Sequence, residues 1–442
     1  MLEVRVYSPQ DPLFRRILAR GGEIAAEVGP AVADIVAAVR DGGGAALQEY
    51  ITRFDSDQVD LEHLVVTEEE LALARRSVSD SFLAALTLAR VNIRKFHEYQ
   101  RRQGYLHDDG DGVRLAKRVL PLARVGVYAP AGTAPLFSSL LMNVVPAQIA
   151  GVKKIVAATP PRRDGTVDPH LLATASLLGL DAVYRMGGAH AVAALAYGAG
   201  PVEAVDKIVG PGNAYVAAAK RLVYGTVGID APAGPSEIVI IADHTANARF
   251  IAADLLSQTE HGSGYEAGVV LTTDRLLAEA VRIEVGRMLP GLSRAAAIEI
   301  ALSRFGAIYV CRDLAEAVAA ANAIAPEHLE LMTRTNEAVL GEVENAGAVF
   351  LGHWSGEPVG DYFAGTNHIL PTGGAARFAS SLGVADFVKD ISVIEYTEER
   401  LRKTGRHIIH LAETEGLSAH ANAIRVRLEN LGPPDNGRWD NA

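Results

Sequence analysis

Short β-rich runs alternate with apolar helical stretches along this chain, and no other feature restricts its fold as much. "RVGVYAP" (124–130) is an extended run closed by proline, "LFSSLLMNVVPAQIAGV" reads as a helix, and "KKIVAAT" as a second strand. A strand, helix and strand within about 35 residues form a βαβ unit, which requires a parallel sheet. "DAVYRMGG" and "AHAVAALAYG" continue the alternation. "SEIVIIAD" (236–243) then opens a second series with "ANARFIAADLLSQTEH", "AGVVLTTD" and "GAIYVC". The expectation is an α/β protein with two Rossmann-like but incomplete α/β domains, mainly parallel in their sheets.

Helical extensions flank these units. Residues 1 to about 110 read as mostly helical. "TEERLRKTGRHIIHLAETEGLSAHANAIRVRLENL" reads as two helices broken at Gly416, with Ser418 as N-cap. That pair has an apolar stripe but too little mass to bury it alone, so it must dock on its own body or on a second subunit. The tail "PPDNGRWDNA" is expected to be disordered. No solenoid-type repeat is present.

Composition excludes several classes. The net charge of −11, from 42 Lys+Arg against 53 Asp+Glu, argues against a nucleic-acid partner, which calls for a basic face. A single cysteine, Cys311, rules out an intramolecular disulfide framework and a Cys-rich zinc cage, and fits a cytoplasmic protein. "MLEVRVYSPQDPLF" lacks the pattern of a signal peptide, and no apolar stretch is long enough to predict a membrane span.

The dinucleotide fingerprint G-x-G-x-x-G is absent; "GPGNAY" (210–215) comes nearest and lacks the third glycine. The loops "YAPAGTAP" and "GPGN" suit close approach of a ligand to backbone, or are ordinary tight turns. Of thirteen histidines, eight lie beyond residue 240. Gln258 and His261 share a helix face before a glycine, Asp361 and His368 lie in a glycine-rich loop, and His420 is near the start of the last helix. Gln258, His261, Asp361 and His420 would supply a zinc site built without cysteine, but spacing alone does not decide it. His407 and His410 of "HIIH" have equally good spacing and read as a solvated helix face. In "AIAPEHLEL" (323–331), Pro326 at a first helical position would put Glu327 and His328 at a helix N-terminus. That stretch by itself supports both an acid–base pair and an ordinary polar first turn.

"GVYAPAGTAP", "GPGNAYV", "AGPSEIVIIAD", "LLSQTEHG", "APEHLEL", "GDYFAGTNHILPTGGAARF" and "LAETEGLSAH" stand in the order and spacing of the histidinol dehydrogenases, over about residues 20 to 430. The resemblance implies a cytoplasmic, homodimeric enzyme with one zinc per subunit. Such an enzyme oxidises L-histidinol to L-histidine via L-histidinaldehyde with two NAD, the last steps of histidine biosynthesis. By motif, the zinc ligands would be Gln258, His261, Asp361 and His420, the last reaching the partner's site from the C-terminal arm. Glu327 and His328 match the catalytic pair. Ser236, His368 and Glu415 match substrate contacts, with His328 and the zinc ligands also facing substrate. Tyr128, Asn213 and the residue after "MGGA" match NAD contacts; the family usually has glutamine at that last position, where this chain has His190. "HGSGYEAG" (261–268) also departs from the usual, more acidic continuation. The implied organisation is an N-terminal extension (1–22), a first α/β domain with the zinc and catalytic residues (23–127 and 236–383), a second on the nucleotide side (128–235) and a C-terminal arm (384–442). A related zinc- and NAD-dependent dehydrogenase of a small sulfonated diol is the alternative on the same scaffold.

Overall fold

In the computed structural model, which describes residues 2–132, 134–231 and 234–431, the strands form three sheets. In chain order they are β1 (Val4–Val6), β2 (Tyr105–Asp108), β3 (Val113–Pro121), β4 (Arg124–Tyr128), β5 (Lys154–Thr159), β6 (Ala182–Arg185) and β7 (Lys207–Val209). There follow β8 (Gly228–Ile229), β9 (Glu237–Ala242), β10 (Ala267–Thr272), β11 (Gly306–Val310), β12 (His328–Met332), β13 (Ala348–Leu351) and β14 (Val388–Tyr396). The expected tail at 433–442 lies outside the described residues. Among the described residues no helix is long and apolar enough to cross a membrane.

The chain divides into two compact units, the first comprising 1–101 and 121–387. It holds a five-stranded sheet, β6-β5-β4-β7-β8, and a six-stranded sheet, β1-β11-β10-β9-β12-β13, with parallel pairing throughout. Both apolar series therefore become parallel sheets, as the alternation requires. In β9, Val239 and Ile241 enter one core cluster while Ile238 and Ile240 enter another, so both faces of the sheet are covered. The first sheet is likewise sandwiched, with Val156 on one side and Ile155 and Ala157 on the other.

Each sheet reverses its strand order once. In the five-stranded sheet the switch falls between β4 and β7, and in the six-stranded sheet between β9 and β12. The helix Pro12–Tyr50 starts at an Asp11 cap that accepts from Leu13 N and Phe14 N, and it packs on the helices Gly188–Tyr197 and Ala214–Val223. Ahead of that helix, β1 adds a parallel edge strand next to β11, which the helical reading of the N-terminus did not contain.

The second unit, 102–120 with 388–442, carries the C-terminal helix pair Glu398–Thr414 and Ser418–Asn430. Gly416 breaks the pair at φ +75 as expected, but the cap position is Leu417 rather than Ser418, which is the first helical residue. The helices meet at Gly405, where a Cβ would come within 2.9 Å of Leu428 Cδ1. This arm is not purely helical: β14 lies beside β3, which pairs antiparallel with β2.

Candidate functional site

The segment that joins the helix Leu314–Ile324 to β12 does not start a helix. Ala325 closes the preceding helix with φ +51, Pro326 follows, and His328 opens a strand flanked by β9 and β13. Glu327 and His328 thus stand at the amino end of a central strand, a correction to the helix-start expectation. The strand wins because its neighbours on both sides supply backbone partners and burial, which a polar first turn lacks.

Glu327 and Glu237, at the amino end of neighbouring β9, hold one another reciprocally. Glu237 N donates to Glu327 Oε2 at 3.0 Å, and Glu327 N donates to Glu237 Oε1 at 3.2 Å. His328 Nδ1 is 3.1 Å from the Glu237 carbonyl oxygen, a bond that exists only if Nδ1 carries the proton. Nε2 is left without a hydrogen-bond partner, 3.7 Å from Asp361 Oδ1. Burial raises the Glu327 carboxyl above its ordinary range, opposed by His328. Burial pulls the His328 imidazole down, but Glu327 and Asp361 outweigh it and push it up to about 9. That direction is the opposite of the depression a helix N-terminus would cause.

Two carboxylates, Asp361 and Glu357, stand beside Nε2. Asp361 sits in the short helix Glu357–Tyr362 rather than in an open loop. His328, Glu357 and Asp361 offer ligand atoms within 4.8 Å of one another. The Asp361 carboxylate, despite burial, is held below its usual range by His328 and His368, whereas burial and Asp361 push Glu357 up to about 9. Gln258, in the last turn of the helix Ala248–Thr259, is 1% exposed, and neither atom of its amide has a hydrogen-bond partner. His261, just past that helix, turns Nδ1 to the Gln258 carbonyl oxygen at 3.0 Å, leaving Nε2 free. His368 Nδ1 is 3.0 Å from the Asp361 carbonyl oxygen. An orphaned amide, a free imidazole nitrogen and an ionised carboxylate are N and O donors of the kind zinc takes. Glu415 and His420 belong to the second unit, where both are exposed, as are His407 and His410.

A cleft of about 760 Å³ runs along this site; Ser236, His261, Glu327 and His368 line one part of it, and Tyr128, His190 and Asn213 another. Tyr128 ends β4, and its hydroxyl accepts from Gly188 N at 3.0 Å. Asn213 caps the helix Ala214–Val223 by accepting from Tyr215 N and Val216 N, both at 3.1 Å. The preceding Gly210 has φ +111, and a Cβ there would fall 2.2 Å from the Tyr128 carbonyl oxygen, so only glycine fits. Its carbonyl accepts from Lys220 Nζ at 2.9 Å and its N–H donates to Asp230 at 2.7 Å, while Lys220 and Asp230 form a buried ion pair. His190 is buried with Nε2 2.7 Å from Asp55 Oδ2, and the rings of Tyr50 and Phe54 stack beside it at 6.2 Å.

Four charged residues of this site went unnoticed in the sequence: Arg20, Glu237, Glu266 and Glu357. All are buried. The only available signal was adjacency, Glu237 to Ser236 and Glu357 four residues before Asp361. Glu266 lies in the divergent stretch after His261, where it accepts from Ser263 N at 2.6 Å and Gly264 N at 2.9 Å.

A family model described as histidinol dehydrogenase matches residues 18–428. The histidinol dehydrogenase of Geobacillus kaustophilus is 51% identical over 416 residues, covering 94% of this chain and 97% of that protein. That of Geobacter sulfurreducens is 48% identical over 420 residues, with 95% and 97% covered. A crystal structure of histidinol dehydrogenase from Elizabethkingia anophelis matches with TM-score 0.89 at 37% identity, covering 98% of this chain and 99% of that one.

Proposed function

Because the chain belongs to the histidinol dehydrogenase family, we propose that it oxidises L-histidinol to L-histidine through L-histidinaldehyde, with two NAD and one zinc ion per subunit. The observation that carries this reading is the buried Glu327–His328 pair, with the imidazole fixed by Glu237 and its Nε2 open beside Asp361.

Gln258, His261 and Asp361 would hold the zinc, with His420 from the arm of a second subunit completing the set in a homodimer. When bound, zinc would grip the amino and imidazole nitrogens of the substrate, and NAD would accept each hydride. His328 Nε2 takes the proton of the alcohol in the first oxidation. With the Asp361 carboxylate committed to a cation, one of the two pulls on His328 is reduced, which favours the neutral imidazole that a base must be. Glu327, whose carboxyl burial raises above its ordinary range, activates the water that hydrates the aldehyde. His328 takes the second proton in the second oxidation. Ser236, His368 and the arm's Glu415 contact the substrate. Tyr128, His190 and Asn213 border the NAD side, in the half spanning 128–235, with substrate chemistry in 23–127 and 236–383. A biosynthetic role of this kind suits a cytoplasmic enzyme.

The test is NADH yield per molecule of L-histidinol, with and without a chelator. Two NADH per substrate, lost on chelation and restored by zinc, is the expected result. Folded, zinc-loaded protein that gives none from histidinol would refute the substrate assignment and turn attention to sulfonated diols.

A further inference from the structure

Beneath the catalytic pair lies a guanidinium to which the reaction as described gives no part. Arg20, from the helix Pro12–Tyr50, is 1% exposed and ion-paired with Glu237. Burial draws it down to about 10 while Glu327 and Glu266 hold it up, so it remains a cation at neutral pH. A full charge in such a place is retained only where carboxylates compensate it.

Glu237 turns that compensation into geometry. Its carboxylate accepts from Glu327 N at 3.2 Å and from Gly373 N at 2.9 Å, its own N–H holds the Glu327 carboxylate, and its carbonyl fixes His328 Nδ1. Glu266, a third carboxylate acting on Arg20 beside Glu237 and Glu327, ties down the loop that follows His261. One buried cation therefore stands behind both sides of the site.

We propose that Arg20 and Glu237 are positioning residues for the acid–base pair: Arg20 holds the Glu237 carboxylate in place through their buried ion pair, and Glu237 sets the Glu327 carboxylate and the His328 tautomer. The proposal rests on the reading of Glu327 and His328 as that pair. A base works only when its free nitrogen faces the proton it takes, and displacement by about 1 Å is enough to cost about 100-fold in rate. With Arg20 gone, Glu237 is a buried carboxylate without its counter-ion, and protonation would convert one of its acceptors into a donor. A guanidinium that merely pinned helix to sheet would affect stability and leave turnover alone.

The experiment compares full-length Arg20→Met, Glu237→Gln and the double variant with the parent, at confirmed zinc content and fold. We expect each single change to lower kcat by about 10- to 100-fold with KM for L-histidinol within about threefold, the signature of lost transition-state positioning. The double variant should be no slower than the slower single, because both act along one path. Folded, zinc-loaded Arg20→Met with parental kcat, or effects that multiply in the double, would overturn the proposal. If Arg20→Met does not fold, the double variant, which removes both charges together, decides by the same kcat criterion. If the parent oxidises a different small alcohol instead of histidinol, the substrate reading fails and the comparison on that alcohol still decides. A parent that reduces NAD with no alcohol sinks both.

Discussion

Replacing Gln258 with leucine separates a structural role of this side chain from a ligand role by the sign of the effect. The amide is 1% exposed and unpartnered at both atoms, so in metal-free protein it is a buried polar group with nothing to bond. Protein mutations put the cost of such a group at about 1–3 kcal/mol, and leucine is near enough in volume to fill the space. Metal-free Gln258→Leu should therefore be more stable than metal-free parent, by about 1–2 kcal/mol. Zinc reverses the order. At free zinc of 100 times its Kd the parent gains about 2.7 kcal/mol, and a variant with hundredfold weaker binding gains only about 0.4 kcal/mol. Urea unfolding followed by circular dichroism, once in chelator and once in buffered zinc, reads both signs. A variant less stable than parent in chelator, or one stabilised by zinc as much as the parent, would refute the reasoning.

Three further outcomes follow from the same structure. His328→Gln should lower turnover by about 100-fold or more at unchanged zinc per chain, measured by NADH formation and metal analysis. Lys220→Met strands Asp230, whose carboxyl burial already raises against the pull of Lys220; the cost near neutral pH should be about 3–5 kcal/mol, with a higher KM for NAD as the Gly210 turn loses its anchor. Because the folded-state value of Asp230 then lies further above the unfolded one, the lost stability should return as pH falls and shrink again as pH rises, which urea midpoints across pH will show. Gly405→Val places a side chain 2.9 Å from Leu428 and should cost about 1–3 kcal/mol, seen as faster proteolysis within the C-terminal helix pair.

Apolar pattern made the α/β sheets legible, because a parallel strand buried on both faces reads as an unbroken run, as "EIVIIA" does. The hairpin of β2 and β3 escaped notice since "YLHD" is exposed along its whole length and offers no alternation to read. Glu327 and His328 are legible from motif but their setting is not: the turn at Ala325 and the pairing of β12 between β9 and β13 outweigh a proline that looks like a helix start. That Arg20, Glu237 and Glu266 are buried is not legible in the sequence, for a simpler reason. A buried charge and a solvated one are the same letter, and only the fold shows which carboxylates share a cation.

The two sheets also explain why one cleft suits two unlike ligands. The side lined by Tyr128 and Asn213, where we propose that NAD binds, is formed at the carboxyl ends of β4 and β7, the switch point where open parallel sheets take ligands. The helices Gly188–Tyr197 and Ala214–Val223 begin there, so their positive dipole ends favour phosphate. The catalytic side is formed at the amino ends of β9 and β12 instead. The helices Ala248–Thr259 and Leu314–Ile324 end there, at Gln258 and just before Glu327, presenting carbonyls and negative dipole ends. With the ionised Asp361 added, that wall favours a cation. Opposite ends of two parallel sheets thus give the cleft an anion-favouring side and a cation-favouring side, which suits the proposed reaction between a dinucleotide and a metal-held amine.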